Sequence, residues 1–214
     1  MRIAICNETS AADRNADILA ALSGRGHEIL NVGMTKNGAS PELTYIHTGF
    51  MSALLIAAKR ADLVVGGCGT GQGYLNSVMQ YPGMFCGHIL SPLDAWLFRQ
   101  INGGNCLSLM LNQAYGWASN VNLVMIFDAL FSVEQGGGYP PHRKESQKES
   151  RARLGAISAL SHRSMAQIVA ELDEAIVSSV LAYPGFSEVL DLPTMEDREL
   201  AATLESRIMK INDR

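Results

Sequence analysis

The residues best suited to chemistry lie in one short stretch, GGCGTGQG at positions 66–73, directly after the apolar run DLVV (62–65). A thiol becomes a base or nucleophile once it is ionised. Glycines let the backbone come close to a ligand, and a helix start offers unpaired N–H groups aimed at negative charge. Such a loop suits a phosphate, a carboxylate or an enediolate. The same N–H dipoles would stabilise a thiolate at Cys68, lowering its pKa and fitting it for proton transfer. Thr70 adds a hydroxyl two residues on. The bland alternative is a glycine turn with an incidental cysteine. No Gly-Lys-Ser/Thr follows, so this is not a nucleotide-phosphate loop, and the glycine spacing does not fit a dinucleotide fingerprint.

The other thiols read differently. Cys86 and Cys106 sit in the apolar runs GMFCGHI and NCLSL, where a small buried hydrophobe is the simplest role, while Cys6, in IAIC, lies near a strand end, where its role stays open. No Cys-x-x-Cys pair and no Cys/His cluster at zinc spacing occurs, so no metal site is expected.

These groups must be positioned by a fold, and the chain has one legible pattern. Apolar runs at 2–7, 27–32, 62–67, 84–89 and 105–110 alternate with helical stretches near 11–24, 43–60, 73–80, 92–101 and 113–133. The runs lack polar alternation, as strands buried on both faces do. That predicts an α/β fold with a five-stranded parallel sheet, whose ligands collect beyond the carboxyl ends of the strands. Cys68 is expected in the loop after the third strand. In 113–133, Trp117, Val121, Val124 and Phe127 fall at three- and four-residue spacing and predict one apolar, core-facing stripe. Residues 134–150 are rich in Gly, Pro and charge and read as a connecting segment. From 151 on the pattern is helical, with one helix over 165–181, a break at 182–186 and a last helix over 195–211. Residues 1–143 are therefore expected to form the α/β domain. Residues 144–214 are expected to form a helical extension packed on the core or on a partner subunit.

Composition bounds the partners. Hydrophobic residues make up 47% of the 214 and charged residues 18%, enough for a packed core. The net charge is −4 and no long basic run occurs, which gives no case for nucleic acid or an anionic membrane. No stretch is long enough to span a bilayer, and MRIAICNE opens as a strand without a signal-peptide core, so a cytoplasmic location is expected.

With IAICNE on the first strand, GGCGTGQG after the third and RQINGGN before the fifth, the chain resembles the ribose-5-phosphate isomerase type B and galactose-6-phosphate isomerase family over about residues 1–143. The resemblance implies a flavodoxin-like doubly wound sheet and aldose–ketose isomerisation through a cis-enediolate. It also implies a homodimer with a shared active site, a small sugar or sugar-acid substrate, and no cofactor or metal. It makes Cys68 the group that shuttles a proton between C1 and C2. Thr70 would act at a substrate oxygen, and the backbone of Gly69, Gly71 and Gly73 would hold the developing oxyanion. Glu8 stands where the family has an aspartate that contacts substrate oxygens. Asn7, Asn102 and Arg143 are assigned to substrate binding, Asn102 as an asparagine beside the loop and Arg143 near the basic positions that grip a phosphate.

The chain also departs from that pattern. The family's ring-opening histidine is replaced by Ile101, its Asp-His on the first strand by Glu8-Thr9, and one of its arginines falls near Tyr139. An open-chain substrate bearing a carboxylate would need neither a ring opener nor a full phosphate grip. The motifs NVGM, LTYIHTGFM, PGMFCG, QINGGN and GGGYP, and the helical tail, resemble the branch that isomerises 4-deoxy-5-hexosulose uronate. Two other readings stand beside it. One is a sugar-phosphate isomerase in which His47, His88 or His142 replaces the missing histidine. The other is a non-catalytic module that binds a sugar acid or anion.

Overall fold

In the computed structural model, which describes residues 1–212, five parallel strands form one sheet. They are β1 (Arg2–Asn7), β2 (Glu28–Asn31), β3 (Leu63–Cys68), β4 (Cys86–Ile89) and β5 (Cys106–Met110). The order is β2-β1-β3-β5-β4, so β5 lies between β3 and β4. The doubly wound α/β class is as expected. Cys68, expected in a loop, is instead the last residue of β3, with its Cα paired to Met110.

Side-chain alternation along the strands builds two cores. Ile3, Ile5, Leu63, Val65, Leu107 and Leu109 face α1 (Asn15–Leu22) and α5 (Ser119–Phe131). Ala4, Cys6, Val64 and Cys106 face α2 (Tyr45–Ala57) and α3 (Gln72–Val78). Gly66 is required on this second face: a Cβ there would come within 2.2 Å of the buried Tyr74 ring. The Tyr74 hydroxyl pairs with Ser52 Oγ at 2.7 Å, and burial raises its pKa well above the ordinary value.

Several helices begin or end elsewhere than the periodicity predicts. The stretch 11–24 opens as a tight 3-10 turn, Thr9–Arg14, before α1 begins. In 113–133 the helix starts only at Ser119, because turns closed by Tyr115 N to Asn112 O and Gly116 N to Ser119 Oγ precede it. The buried stripe is therefore Leu123, Ile126, Phe127 and Leu130, and Trp117 is 100% exposed. Helix α4 (Pro92–Leu97), capped by Ser91 Oγ accepting from Asp94 N, runs into a π turn over Phe98–Asn102 that ends at Gly103.

The C-terminal segment starts earlier than expected. Helix α6 covers Lys144–Ser161, taking in residues read as connecting chain. Its Lys, Glu, Gln and Arg are good helix formers despite their charge, and Gln147 ties its first turn to Tyr139 through both backbone groups. The expected helix over 165–181 is two, α7 (Met165–Glu171) and α8 (Glu174–Leu181), because Asp173 Oδ1 accepts from Ala175 N and starts a new helix. Short α9 (Phe186–Leu190) and α10 (Arg198–Asn212) follow. Met165, Val169, Val180, Phe186, Leu200 and Leu204 join the same buried cluster as α2 and α3, so α7–α10 extend that core and do not build a separate one.

Candidate active site

The carboxyl ends of β1, β3 and β5 meet at one edge. There Cys68 is 7% exposed, and its Sγ lies 3.9 Å from Thr70 Oγ1. Thr70 Oγ1 also accepts from Gln72 N at 3.2 Å, which caps the entry to α3. The Gly69 carbonyl accepts from Asn112 N (3.0 Å) and Gln113 N (2.8 Å). In a planar trans peptide the N–H points opposite to the C=O, so the Thr70 amide is turned away from β5, and it has no partner among the described residues. A thiol, a hydroxyl and a free amide thus share one turn. Gly71 sits at φ +77°, a conformation that side chains resist, and this lets the chain pass from strand to helix in so few residues.

Residues not singled out in the sequence hold this edge together. Ser10 Oγ donates to the Glu8 carboxylate and accepts from Gly69 N at 3.0 Å, while the Ser10 carbonyl accepts from Asn112 Nδ2. Glu8, buried at 4% exposure, is thereby coupled through Ser10 to the residue after Cys68. Asn7 is fully buried and donates from Nδ2 to Ala11 O at 3.0 Å, fixing the turn out of β1. Tyr45 lies against Gly73, whose Cβ would meet its ring at 3.2 Å. Nothing in the sequence pattern marks Ser10 or Asn112, because their partners come from three separate strands.

Two of the three histidines considered as substitutes have other occupations. His47 Nδ1 accepts from Thr44 N at 3.0 Å and caps α2, and burial lowers its pKa. His88 Nε2 is 2.9 Å from the Thr70 carbonyl. His142 lies in the 3-10 turn Pro141–Arg143, next to Arg143.

Asn102 and Arg143 are brought together, but not with Cys68. They line a cavity of about 690 Å³ with Cys86, Ile101, Arg151 and Leu154. Arg151 fastens α6 to this region, donating to Ile101 O (2.8 Å) and Gly136 O (3.1 Å). Asn102 precedes β5, so it sits at the amino edge of the sheet, whereas Cys68 pairs with Met110 at the carboxyl end. The length of β5 alone separates the two edges by roughly 13 Å. Within one chain the expected site residues fall into two groups. Among the described residues no group of three or more His, Cys, Asp or Glu could hold a metal ion, and no single helix is long and apolar enough to cross a membrane.

Fold and edge together define a class: a doubly wound α/β protein that presents thiol, hydroxyl and amide at the carboxyl ends of its central strands. Residues 3–135 match the family model described as Ribose/Galactose Isomerase. A solved 4-deoxy-L-threo-5-hexosulose-uronate ketol-isomerase, complexed with a tartrate, is 33% identical, with a TM-score of 0.91 over 98% of this chain and 100% of that one. Ribose-5-phosphate isomerase LacAB_rpiB from Vibrio parahaemolyticus is 36% identical, with a TM-score of 0.90 over 97% of this chain and 99% of that one. Ribose-5-phosphate isomerase B from Clostridium thermocellum shares the fold at 21% identity, with a TM-score of 0.63 over 75% of this chain and 99% of that one. A search of curated protein sequences found no match. This chain belongs to the ribose/galactose isomerase family.

Proposed function

We propose that the protein is an aldose–ketose isomerase for an open-chain sugar acid, with 4-deoxy-5-hexosulose uronate as its substrate. The observation that carries the reading is the meeting of Cys68 with the Thr70 hydroxyl and the unpaired Thr70 amide. The Cys68 thiolate removes the proton from the carbon beside the carbonyl. The electron pair moves onto the carbonyl oxygen, giving a cis-enediolate. Thr70 N–H stabilises the oxygen that gains charge, an interaction stronger in the transition state than in the ground state. The thiol, whose proton exchanges with water, then protonates the neighbouring carbon, and a hydroxyl proton passes between the two oxygens.

Ile101 supports the choice of substrate. It has no proton to transfer, so a sugar that needs ring opening is poorly served, while a substrate already open is not. The tartrate held by the 33% identical relative, an open-chain hydroxy acid, fits the same idea. The sugar-phosphate reading is favoured by the Vibrio relative and by the basic pair Arg143 and Arg151 in the cavity.

The separation of Cys68 from Asn102 and Arg143 supports a homodimer in which each copy completes the other's site. Helix α6 fits this arrangement. Only Ser158 of its residues is buried, while Leu154, which lines the Asn102 cavity, and Ile157 and Leu160 further along the helix are 51%, 58% and 88% exposed. Tyr45, which lies against Gly73 of the loop, and its chain neighbour Ile46 are exposed and apolar and offer a complementary surface. In a two-fold dimer both contacts form twice.

The test is a side-by-side turnover measurement with 4-deoxy-5-hexosulose uronate and ribose 5-phosphate. Conversion of the uronate, with little or none of the pentose phosphate, is expected. The reverse preference would select the sugar-phosphate reading, and binding of either without conversion would make the protein a receptor.

A further inference from the structure

Four consecutive carbonyls of the glycine loop are held from inside the fold. The Cys68 carbonyl accepts from Leu111 N at 3.1 Å and Gly71 N at 3.3 Å. That of Gly69 accepts from Asn112 N and Gln113 N, and that of Gly71 from Ser108 Oγ at 2.5 Å and Leu75 N at 3.1 Å. The Thr70 carbonyl alone depends on a single side chain, His88, among the described residues. A carbonyl only accepts, so the proton of this contact belongs to His88 Nε2. The imidazole is seated closely: a Cβ on Gly71 would lie 2.6 Å from Nε2 and 2.9 Å from Cδ2. The ring therefore rests against the loop backbone at the left-handed residue that turns β3 into α3.

We propose that His88 is a positioning residue: its Nε2–H, bonded to the Thr70 carbonyl, holds the 70–71 peptide and so fixes the Thr70 Cα and its hydroxyl relative to Cys68 Sγ, while the 69–70 peptide that carries the Thr70 amide is held by Asn112 N and Gln113 N. The inference rests on the reading that the Cys68 loop is where the reaction occurs. It differs from giving His88 the work of the missing ring-opening histidine. Nε2 is committed to the backbone, and the bond survives protonation of the ring because Nε2 keeps its hydrogen in both charge states.

Three variants separate these roles. His88→Gln keeps an N–H donor of similar reach, His88→Met keeps bulk without a donor, and His88→Ala removes both. Turnover is measured across pH on the substrate that the wild type converts, and amide hydrogen exchange at Gly69–Gly71 is followed by NMR without substrate. His88→Met and His88→Ala should speed loop exchange about two- to tenfold and lower kcat about ten- to a hundredfold with a smaller change in KM. His88→Gln should restore most of both and keep the wild-type pH profile. Loss in His88→Gln as deep as in His88→Met, with a changed pH profile, would overturn positioning in favour of proton transfer by His88. Unchanged loop exchange in His88→Met would also overturn it. The exchange experiment needs no turnover, so an inactive wild type would refute the functional reading and leave the His88 contact still measurable.

Discussion

Cys6 and Cys68 belong to neighbouring strands, and their surroundings divide their chemistry. Cys6 is fully enclosed under α2, and burial pushes its thiol up to about 12, so it stays protonated and packs as a small hydrophobe. Cys68 stands at the open end of β3 beside Thr70. Cys68→Ser should lower turnover about a hundredfold or more while ligand affinity changes little, which steady-state kinetics and calorimetry would check. Full activity in that variant would remove Cys68 as the base. A second residue-scale prediction concerns acid. Both ring nitrogens of His27 are buried without a partner, and the ring stands edge-on to Phe131 at 4.6 Å. Burial first, then the N-terminal ammonium, Arg99 and Arg25, hold its pKa below the usual value, and burial does the same for His47. The unfolded chain takes up protons near pH 6.5 that the folded one resists. This contribution to stability is full above that pH and is lost as pH falls below it. Urea midpoints at pH 7.5 and 5.5 should drop toward acid, and less steeply in His27→Phe. An equal drop in both proteins would assign the acid sensitivity to other groups.

At the scale of elements, what could be read in the sequence followed what is decided locally. Runs such as IAIC and DLVV had to be buried strands and the glycines had to follow one, but Cys68, read as a loop residue, closes β3 through its pairing with Met110. Asp173 and Gly116, by contrast, act through turn geometry that periodicity does not report, so 165–181 divided and the apolar stripe of α5 rotated off Trp117. Ser10 and His88 were not legible as parts of the loop because sheet order decides their contacts: β1 beside β3 brings Ser10 to Gly69, and His88 reaches Thr70 from β4. The C-terminal helices make a testable contribution to the core. Phe186 and Leu204 are fully buried in the cluster shared with α2 and α3. Phe186→Ala should cost about 3–5 kcal/mol and Leu204→Ala about 2–5 kcal/mol, measured by denaturant unfolding. Losses well under 1 kcal/mol would mean that the tail merely covers a core complete without it.

For the whole molecule, the proposed site joins a Cys68 edge to an Asn102–Arg143 cavity, and under that proposal a second copy completes it. Mixing Cys68→Ser and Arg143→Ala subunits tests this directly. In a random mixture of dimers, half are mixed, and each mixed dimer carries one intact site, so activity should return to about a quarter of wild type. No recovery after subunit exchange would place the whole site within one chain. Ile157→Glu with Leu160→Glu should shift the protein to monomers in sedimentation and lower turnover with it, because the charges desolvate badly against an apolar partner. Proton transfer by Cys68 on an open-chain acid can be followed by proton NMR in deuterated water with 4-deoxy-5-hexosulose uronate. Deuterium should appear at the carbon beside the carbonyl as the isomer forms, with wild-type protein and not with Cys68→Ser. Isomer formed without solvent deuterium, or deuterium incorporated equally by Cys68→Ser, would contradict it.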